Sequence, residues 1–520
     1  MSIRNAIALF LALTGLLFLF GCGSSSPKAT PPPSGSFSDS DLNGTYVFSS
    51  AGADNAGGFL TMAGTLVADG KGGISGGTVD VVGVDAPPSS PAAQPVSGGS
   101  YSVTLDGRGQ ATLNTNSSLG TIILDFVLTS NTHGSVTEFD GNGSGSGTID
   151  LQSTVAQSQL AGSFGFSLGG VDASNNPIAS VGSFTLDSSG TITAGIQDFN
   201  DNGFALTALP IATGGSALLG SGTGPGTITL NSTTFVLKFD FYPIDATHLK
   251  FIETDFGSIV SGDVFTQTGA VIPSGPMVFT VGGSGSSGPI AAGGLMTSDG
   301  SGNITGGLED VNNAGTVSPA QLPFSGTYAP SGSVGGRNLL NLSGFTPAIQ
   351  FAIYPSSGGV LMLETDSTAI TSGAAFAQTS TSLSAPQGYG FNVSASNSGN
   401  GLSGPFEEDD IAEFTASSGN LTGLIDVNDE GTTGFDQRIS GNYVADSIND
   451  GRGQITTTFV NGLYYVVDGS SLLFLETDGN QVGLGAFGLQ TPSSAQPAMM
   501  LAHFARVRPK GSARTAWRHK

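Results

Sequence analysis

Several residue types are scarce in this chain, and each scarcity excludes a class of protein. A single cysteine among 520 residues cannot form an intramolecular disulfide or a thiolate metal cluster. Only 10% of residues are charged, and Asp and Glu outnumber Lys and Arg by 39 to 15. Such an acidic surface repels phosphate backbones, so we expect no nucleic-acid partner. Beyond the N-terminal apolar run, no stretch sustains helical periodicity, which argues against a helical fold.

Glycine and apolar residues are, by contrast, abundant. The chain holds 81 glycines and 25 prolines but lacks the three-residue glycine period of collagen. Hydrophobic residues make up 38% of the sequence, which is enough to bury a core and offset chain entropy. At about 150 residues per domain, the length predicts three or four domains.

The N-terminus combines a basic residue, an apolar run and the single cysteine. Arg4 precedes an uncharged run over 7–20, which is shorter than a comfortable membrane span of about 20 residues. The run ends in Leu19-Phe20-Gly21-Cys22, which resembles the lipobox of bacterial lipoproteins. The resemblance implies that residues 1–21 are a signal peptide and that lipid on Cys22 attaches the protein to a membrane. Because Gly23 follows the cysteine, it also implies outer-membrane placement, facing the periplasm or the cell surface.

The two segments that flank the main body are predicted to be flexible. Residues 22–41 are polar and rich in proline, which is typical of a tether. Residues 491–520 contain no acidic residue and carry six basic ones, which predicts a basic disordered tail. An alternative is that this tail docks on the acidic repeats or on an anionic envelope polymer.

Comparison of the chain with itself indicates one unit repeated four times. The copies open at Tyr46, Phe164, Met277 and Tyr389, separated by 118, 113 and 112 residues. Each copy also ends on a Glu-x-Asp sequence at a similar spacing. The landmarks predict four domains, over 42–152, 160–268, 272–378 and 383–490.

Alternating residues and turn dipeptides within each copy predict β-strands. In the first copy the turns include Asp69-Gly70, Asp106-Gly107 and Asp140-Gly141, which favour tight hairpins because glycine accepts positive φ. Short strands spaced by about 8 to 12 residues are typical of sandwiches and small barrels. We therefore predict an all-β fold of four tandem antiparallel small barrels or sandwiches, with about seven to nine strands each.

One loop motif suggests a cation site. Asp198-Phe-Asn200-Asp201-Asn202-Gly203 has the oxygen side chains and turn glycine of a calcium loop, but it lacks the closing glutamate. The motif returns in the third and fourth copies and lapses in the first, at Asp80-Val-Val82-Gly83. Hairpin loops favour the same residues for their own backbone, and we favour that interpretation, with weak calcium binding as the alternative. The candidate ligands are Asp198, Asn200, Asn202, Asp310, Asn312, Asp426 and Asn428.

Paired carboxylates near the end of each copy form the second candidate site. They are Glu138 and Asp140, Glu253 and Asp255, Glu364 and Asp366, and Glu476 and Asp478. Pairs of this kind hydrolyse glycosides when their spacing suits a sugar ring. Four copies in equivalent surroundings indicate instead a requirement of the fold, such as carboxylates that accept backbone N–H groups.

Other signals for catalysis are weak. Gly73-Ile-Ser75-Gly-Gly77 matches a nucleophile elbow by composition but lies in an alternating strand. His133 and His248 are the histidines within the repeats, and we assign them to no shared landmark, so no repeated base accompanies a serine. We predict that the chain is not an enzyme.

These patterns predict a lipid-anchored cell-envelope protein whose repeats serve a non-catalytic binding, adhesion or spacer role. The chain as a whole resembles Gly/Ser-rich repeat lipoproteins of bacteria, a resemblance that assigns no activity to particular residues. The expected partners are the membrane, through lipid, and envelope polysaccharide or another surface protein. A small-ligand carrier that uses barrel lumens is an alternative, as is an enzyme acting on polysaccharide.

Overall fold

The computed structural model describes residues 37–84, 93–222, 224–232, 235–255, 257–269, 272–330, 335–398 and 407–492. Cys22, most of the predicted tether and residues 493–520 of the basic tail lie outside these ranges. Within them the chain forms 34 β-strands and two short 3-10 helices, Asp39–Asp41 and Gln157–Leu160.

The strands fall into four units. Unit 1 contains β1 (Asn43–Asp54), β2 (Phe59–Asp69), β3 (Gly73–Gly83), β4 (Gln94–Val103), β5 (Arg108–Thr115), β6 (Thr121–Leu128), β7 (His133–Glu138) and β8 (Gly143–Leu151). Unit 2 contains β9 (Gly162–Asp172), β10 (Pro177–Leu186), β11 (Ile192–Asp201), β12 (Phe204–Pro210), β13 (Ala217–Leu218), β14 (Gly226–Asn231), β15 (Val236–Pro243), β16 (His248–Glu253) and β17 (Ser258–Thr266).

The second half of the chain repeats this order. Unit 3 contains β18 (Gly275–Gly285), β19 (Gly288–Ser298), β20 (Asn303–Asn313), β21 (Thr316–Val317), β22 (Leu322–Pro330), β23 (Asn338–Ser343), β24 (Ile349–Ser356), β25 (Gly359–Glu364) and β26 (Ala369–Ala377). Unit 4 contains β27 (Gln387–Asn397), β28 (Glu407–Ser417), β29 (Asn420–Asp429), β30 (Thr432–Ala445), β31 (Arg452–Thr457), β32 (Asn461–Val466), β33 (Ser471–Glu476) and β34 (Gln481–Leu489).

Each unit is an antiparallel sheet in which most consecutive strands are neighbours. Units 1 and 4 close as eight-stranded barrels, with β1 against β8 and β27 against β34. Unit 3 closes as an eight-stranded barrel through β19 and β20, and the short β21 pairs with β20. Unit 2 is a nine-stranded sheet with β12 and β13 at its two margins. The predicted all-β fold class is confirmed.

The predicted turn residues organise the hairpins. Asp69 accepts hydrogen bonds from the backbone N–H groups of Gly73 at 2.9 Å and Lys71 at 2.8 Å, and both bonds lower the pKa of its carboxyl. Gly70, which follows Asp69 in this turn, adopts φ +72°, a left-handed conformation that favours glycine. Asp187 and Asp299 bind their own turns in the same way.

A cluster of buried apolar side chains fills each unit. The predicted opening landmarks stand at the centre of these clusters, because alternate residues of a first strand point inward. The inward pairs are Tyr46 and Phe48, Phe164 and Phe166, Met277 and Phe279, and Tyr389 and Phe391. Stacked and edge-on ring contacts, such as Phe391 on Phe487 at 4.3 Å, tighten this interior.

The four units form one compact body and contact each other in a cycle. The first strands of one unit face the last strands of the next: β2 and β3 face β15 to β17, and β9 to β11 face β24 to β26. In the same way β18 and β19 face β32 to β34, and β27 and β28 face β6 to β8 of unit 1. We call these interfaces seams 1–2, 2–3, 3–4 and 4–1. A head-to-tail contact of this kind becomes a ring when its rotation closes, and here it closes after four units.

Candidate functional site

The most regular polar chemistry outside the barrel interiors lies in the seams. In seam 2–3 the Asp198 carboxylate is fully buried and receives two hydrogen bonds from Arg337, at 2.7 Å from Nε and 2.6 Å from Nη2. The Tyr354 hydroxyl donates a further bond to Asp198 Oδ2 at 2.6 Å. A two-pronged contact between arginine and carboxylate fixes orientation as well as distance.

Seam 3–4 repeats this arrangement with different residues. Arg452 donates to both oxygens of Asp310 at 2.8 Å, and the Tyr465 hydroxyl donates to Oδ2 at 2.8 Å. Burial and the neighbouring aspartate raise the pKa of Tyr465 well above its ordinary value. The hydroxyl therefore keeps its proton and remains a donor.

Seam 4–1 keeps the arginine and loses the tyrosine. Arg108 donates from Nη1 to Asp426 Oδ2 at 2.7 Å and from Nη2 to Asp436 Oδ1 at 2.7 Å. Val127 pairs with Arg108 across the strands, where Tyr465 pairs with Arg452 in unit 4. The last unit therefore binds the first through the same aspartate and arginine positions that join the middle units.

Seam 1–2 keeps the tyrosine and loses the arginine. Tyr242 donates to Asp80 Oδ2 at 2.6 Å. Gly226 pairs with Phe241, so the next position along the strands sets Pro225 opposite Tyr242, in place of the arginine. Asp80 Oδ1 is buried and meets no hydrogen-bond donor among the described residues. Burial, reinforced by the nearby carboxyl of Asp240, raises the pKa of Asp80 despite the bond from Tyr242.

The asparagines of the predicted calcium motif bind carbonyl groups across three seams. Asn428 Nδ2 donates to the carbonyl oxygens of Glu138 at 2.6 Å and Gly143 at 2.8 Å. Asn200 and Asn312 make the same two bonds to the next unit. Unit 1 has Val82 at this position, packed against the apolar cluster of seam 1–2.

Most of the predicted calcium ligands thus have partners in an adjacent unit. Asn202 is the exception, since it lies in the hairpin turn with φ +51°. The residues that bind across a seam are Asp198, Asn200, Asp310, Asn312, Asp426 and Asn428. This arrangement favours a structural role for the motif, because its oxygens and amides already serve the assembly.

The segment that follows the last strand of each unit carries a glutamine whose side chain binds the next unit. Gln378 Nε2 donates to the carbonyl oxygens of Asp450 and Val466, each at 2.9 Å. Gln490 does the same to Asp106 at 2.6 Å and Leu128 at 3.1 Å, although it ends the last unit. The series is Gln152, Gln267, Gln378 and Gln490, spaced by 115, 111 and 112 residues. The exit from unit 4 therefore docks on unit 1 as if unit 1 came next in the chain.

In each Glu-x-Asp pair the glutamate is buried and the aspartate binds the neighbouring strand. The four glutamates are only 1 to 4% exposed. Burial raises the pKa of Glu253 to about 8 and that of Glu364 to about 7, and it raises Glu138 and Glu476 well above the ordinary value. The aspartates bind the neighbouring strand: Asp140, Asp255 and Asp366 accept backbone N–H groups, and Asp478 binds the Asn461 amide. This geometry favours the structural interpretation.

The two histidines are equivalent, and their assignment to no shared landmark is wrong. His133 and His248 each begin the strand that ends on the repeated glutamate, five residues before Glu138 and Glu253. His133 Nδ1 lies 2.7 Å from Asp150, and His248 Nε2 lies 2.7 Å from Asp263. Both sites are His–Asp contacts within one unit, His133 in unit 1 and His248 in unit 2.

The two His–Asp contacts approach each other at seam 1–2. Lys250 Nζ lies 2.6 Å from Asp263, and together with His248 it holds the pKa of that carboxyl well below its usual range despite burial. Burial also opposes ionisation of Asp150 in unit 1, but His133, Lys250 and His248 lower its pKa. Opposite charges therefore face each other across this side of the seam.

The seams also differ in the other side chains that they bury. Seam 2–3 buries an apolar cluster that includes Val181, Phe265 and Leu361. Seam 4–1 instead buries Asp409, whose carboxyl accepts hydrogen bonds from Ser144 at 2.5 Å and Ser146 at 2.7 Å. Burial raises the pKa of Asp409 to about 7, although both serine bonds act to lower it.

The arginines that bind across the seams could not be identified from the sequence patterns considered above. Arg108, Arg337 and Arg452 are three of the seven basic residues between 42 and 490, and each follows a glycine. Arg108 and Arg452 share the sequence Asp-Gly-Arg. A basic residue at the same position of three repeats in so acidic a chain is the sequence pattern that could have identified them.

Searches for metal sites, membrane helices and relatives add no positive assignment. The described residues contain no group of three or more His, Cys, Asp or Glu arranged to hold a metal ion. Among them, no helix has the length and apolar character needed to cross a membrane. No protein-family model matches the chain, and no curated protein matches it.

Proposed function

We propose that the chain is a lipid-anchored cell-envelope protein in which four β-units form a stiff, non-catalytic platform for binding, adhesion or spacing. The observation that carries this proposal is the closed cycle of seams. Unit 4 binds unit 1 through Asp426, Asn428 and Gln490, which hold the positions that join the middle units. In a closed cycle every unit is held by neighbours on two sides, and this restraint favours a role that requires a fixed shape.

The barrel interiors support a platform over a carrier or an enzyme. A carrier needs an open lumen, whereas each unit here is filled by an apolar cluster. A glycosidase needs carboxyls that reach a sugar, whereas the repeated glutamates are almost wholly buried. The anchor itself rests on the lipobox resemblance at Cys22.

The anchor is tested by comparing the full chain with Cys22→Ser in a bacterial host that processes lipoproteins. The wild-type chain should take up a labelled fatty-acid analogue and sediment with membranes, and the variant should do neither. An unlabelled wild-type chain would contradict the anchor.

The platform is tested by glycan-array binding of the full wild-type chain beside Arg108→Met, which removes the ion pair of seam 4–1. We expect binding without turnover and weaker binding by the variant, because the closed cycle sets the spacing of the units. Hydrolysis of an array polysaccharide by the wild type, lost in Glu253→Gln, would show an enzyme instead.

A further inference from the structure

Seam 1–2 contains two carboxyl groups where the other seams contain a carboxylate and a guanidinium. Asp80 is fully buried, and Asp240 of unit 2, only 9% exposed, lies beside it. The Tyr242 hydroxyl binds one oxygen of Asp80, and the other oxygen has no donor among the described residues. The two carboxyls can hydrogen-bond to each other only while one of them keeps a proton, and with both ionised the site lacks one positive charge.

The other seams show what completes such a site. In each of them the corresponding aspartate binds a guanidinium, supplied by Arg337, Arg452 or Arg108. Pro225 occupies that position in unit 2 and has neither charge nor a donor. The described residues therefore contain three seams in which a guanidinium binds at this point and one seam in which they supply none.

The basic groups on the facing strands do not complete the site. Lys238, two residues before Asp240 on β15, is exposed to solvent. Lys250 on β16, which faces β3, forms its ion pair with Asp263 at 2.6 Å, and His248 binds the same carboxylate. The strands on either side of Asp80, β2 and β4, carry no basic side chain. The charged and titratable groups that face Asp80 are therefore Asp240 and Tyr242.

We propose that seam 1–2 binds a divalent cation between Asp80 and Asp240, in place of the arginine that the other seams build in. Two carboxylates and water are hard oxygen ligands of the kind that calcium accepts in flexible geometry. The site differs from the loop motif discussed above, because it uses the one copy in which that motif lapses. Protons compete with the metal for the two carboxyls, so binding strengthens with rising pH.

The test is thermal unfolding of the full chain at pH 8 in CaCl2 and in NaCl of equal ionic strength. Calcium in millimolar excess should raise the melting temperature of the wild type by about 2 to 4 °C. Pro225→Arg should raise it without calcium and abolish the calcium effect, because the guanidinium then fills the site. Pro225→Ala is the matched control and should retain the calcium response.

Asp240→Asn and Asp80→Asn provide a second measurement that needs no new arginine. Isothermal titration with CaCl2 should give one site per chain, with at least tenfold weaker binding in either variant. Equal calcium responses in the wild type, Pro225→Arg and both asparagine variants would overturn the proposal and place any calcium elsewhere. The absence of a calcium-specific shift in the wild type at pH 8 would overturn it as well.

Discussion

Seams 2–3 and 4–1 occupy equivalent places in the cycle but are held together by different forces. Seam 2–3 joins units that are consecutive in the chain, and it combines the Asp198–Arg337 pair with a buried apolar cluster. Seam 4–1 joins the two ends of the repeat array, and beside the Phe139–Phe435 ring contact it buries Asp409, which accepts hydrogen bonds from Ser144 and Ser146. Apolar contact is non-directional, whereas hydrogen bonds to a buried carboxyl accept one geometry.

The difference follows from what each seam must avoid. A linked seam forms between neighbours at high effective concentration, so its apolar surface is covered as soon as both units fold. The closing seam is exposed until the whole array is built, and an apolar surface there would pair with a second copy. A head-to-tail contact that fails to close makes open chains of molecules. Polar complementarity at seam 4–1 favours closure over such association.

The largest effect is expected from removing the arginine of the apolar seam. Arg337→Met leaves Asp198 fully buried with Tyr354 as its remaining side-chain donor, which should lower the free energy of unfolding by about 3 to 5 kcal/mol. Arg108→Met should cost less, since Asp436 is 72% exposed and returns to water, and Asp426, whose pKa is already raised by burial, can take up a proton. Urea unfolding of both variants measures the difference.

Arg438→Met is the control for the change in net charge, because Arg438 is exposed. It should alter stability by less than about 0.5 kcal/mol. Equal losses in Arg337→Met and Arg438→Met would show that the buried pair contributes nothing specific to the seam.

A second contrast between the two seams should appear on raising the pH. Burial raises the pKa of Asp125 and Asp409 to about 7 and that of Glu413 to about 8, and all three lie at seam 4–1. Their pKa values in the folded protein exceed the ordinary values of 3.8 for Asp and 4.5 for Glu, so the folded state binds more protons. The stability they give is complete below about pH 4 and is lost as the pH rises through 7 to 8, by about 2 to 4 kcal/mol for Asp409.

Hydrogen exchange resolves this effect by position. The Thr491 amide donates across seam 4–1 to Thr129, and the Ser357 amide donates across seam 2–3 to Thr266. Corrected for intrinsic rate, protection of Thr491 should fall between pH 5 and pH 8 while that of Ser357 changes less. Asp409→Asn should reduce the fall at Thr491, and parallel losses at both amides would refute a seam-specific response.

The sequence was sufficient for the fold class and insufficient for the assembly. Strand alternation and Asp-Gly turns are local patterns, so the four β-units could be predicted from them. The partner of Asp198 is Arg337, 139 residues away, and no periodicity within one copy connects the two. The calcium interpretation arose because Asx residues suit cation loops, hairpins and seam contacts equally.

The closure of the cycle did leave a signal in the sequence. Gln490 lies fourteen residues after Glu476, as Gln378 lies after Glu364. A linker residue retained at the end of the array indicates that the last unit docks on something equivalent to a next unit. The equivalence of the histidines could also be found in the sequence, because His133 and His248 each lie five residues before a repeated glutamate, Glu138 or Glu253.

The smallest expected effect concerns that terminal glutamine. A chain ending at Leu489 loses the bonds from Gln490 to Asp106 and Leu128 and the bond from Thr491 to Thr129, which a chain ending at Pro492 retains. At about 0.5 to 1.5 kcal/mol per bond, loss of the two Gln490 bonds alone should make the shorter chain less stable by about 1 to 3 kcal/mol in urea. Gln378→Ala removes the equivalent bonds from seam 3–4, where the chain itself still holds the units together. Only the shorter chain should therefore expand in solution scattering, and equal dimensions for all three proteins would mean that seam 4–1 closes without its glutamine.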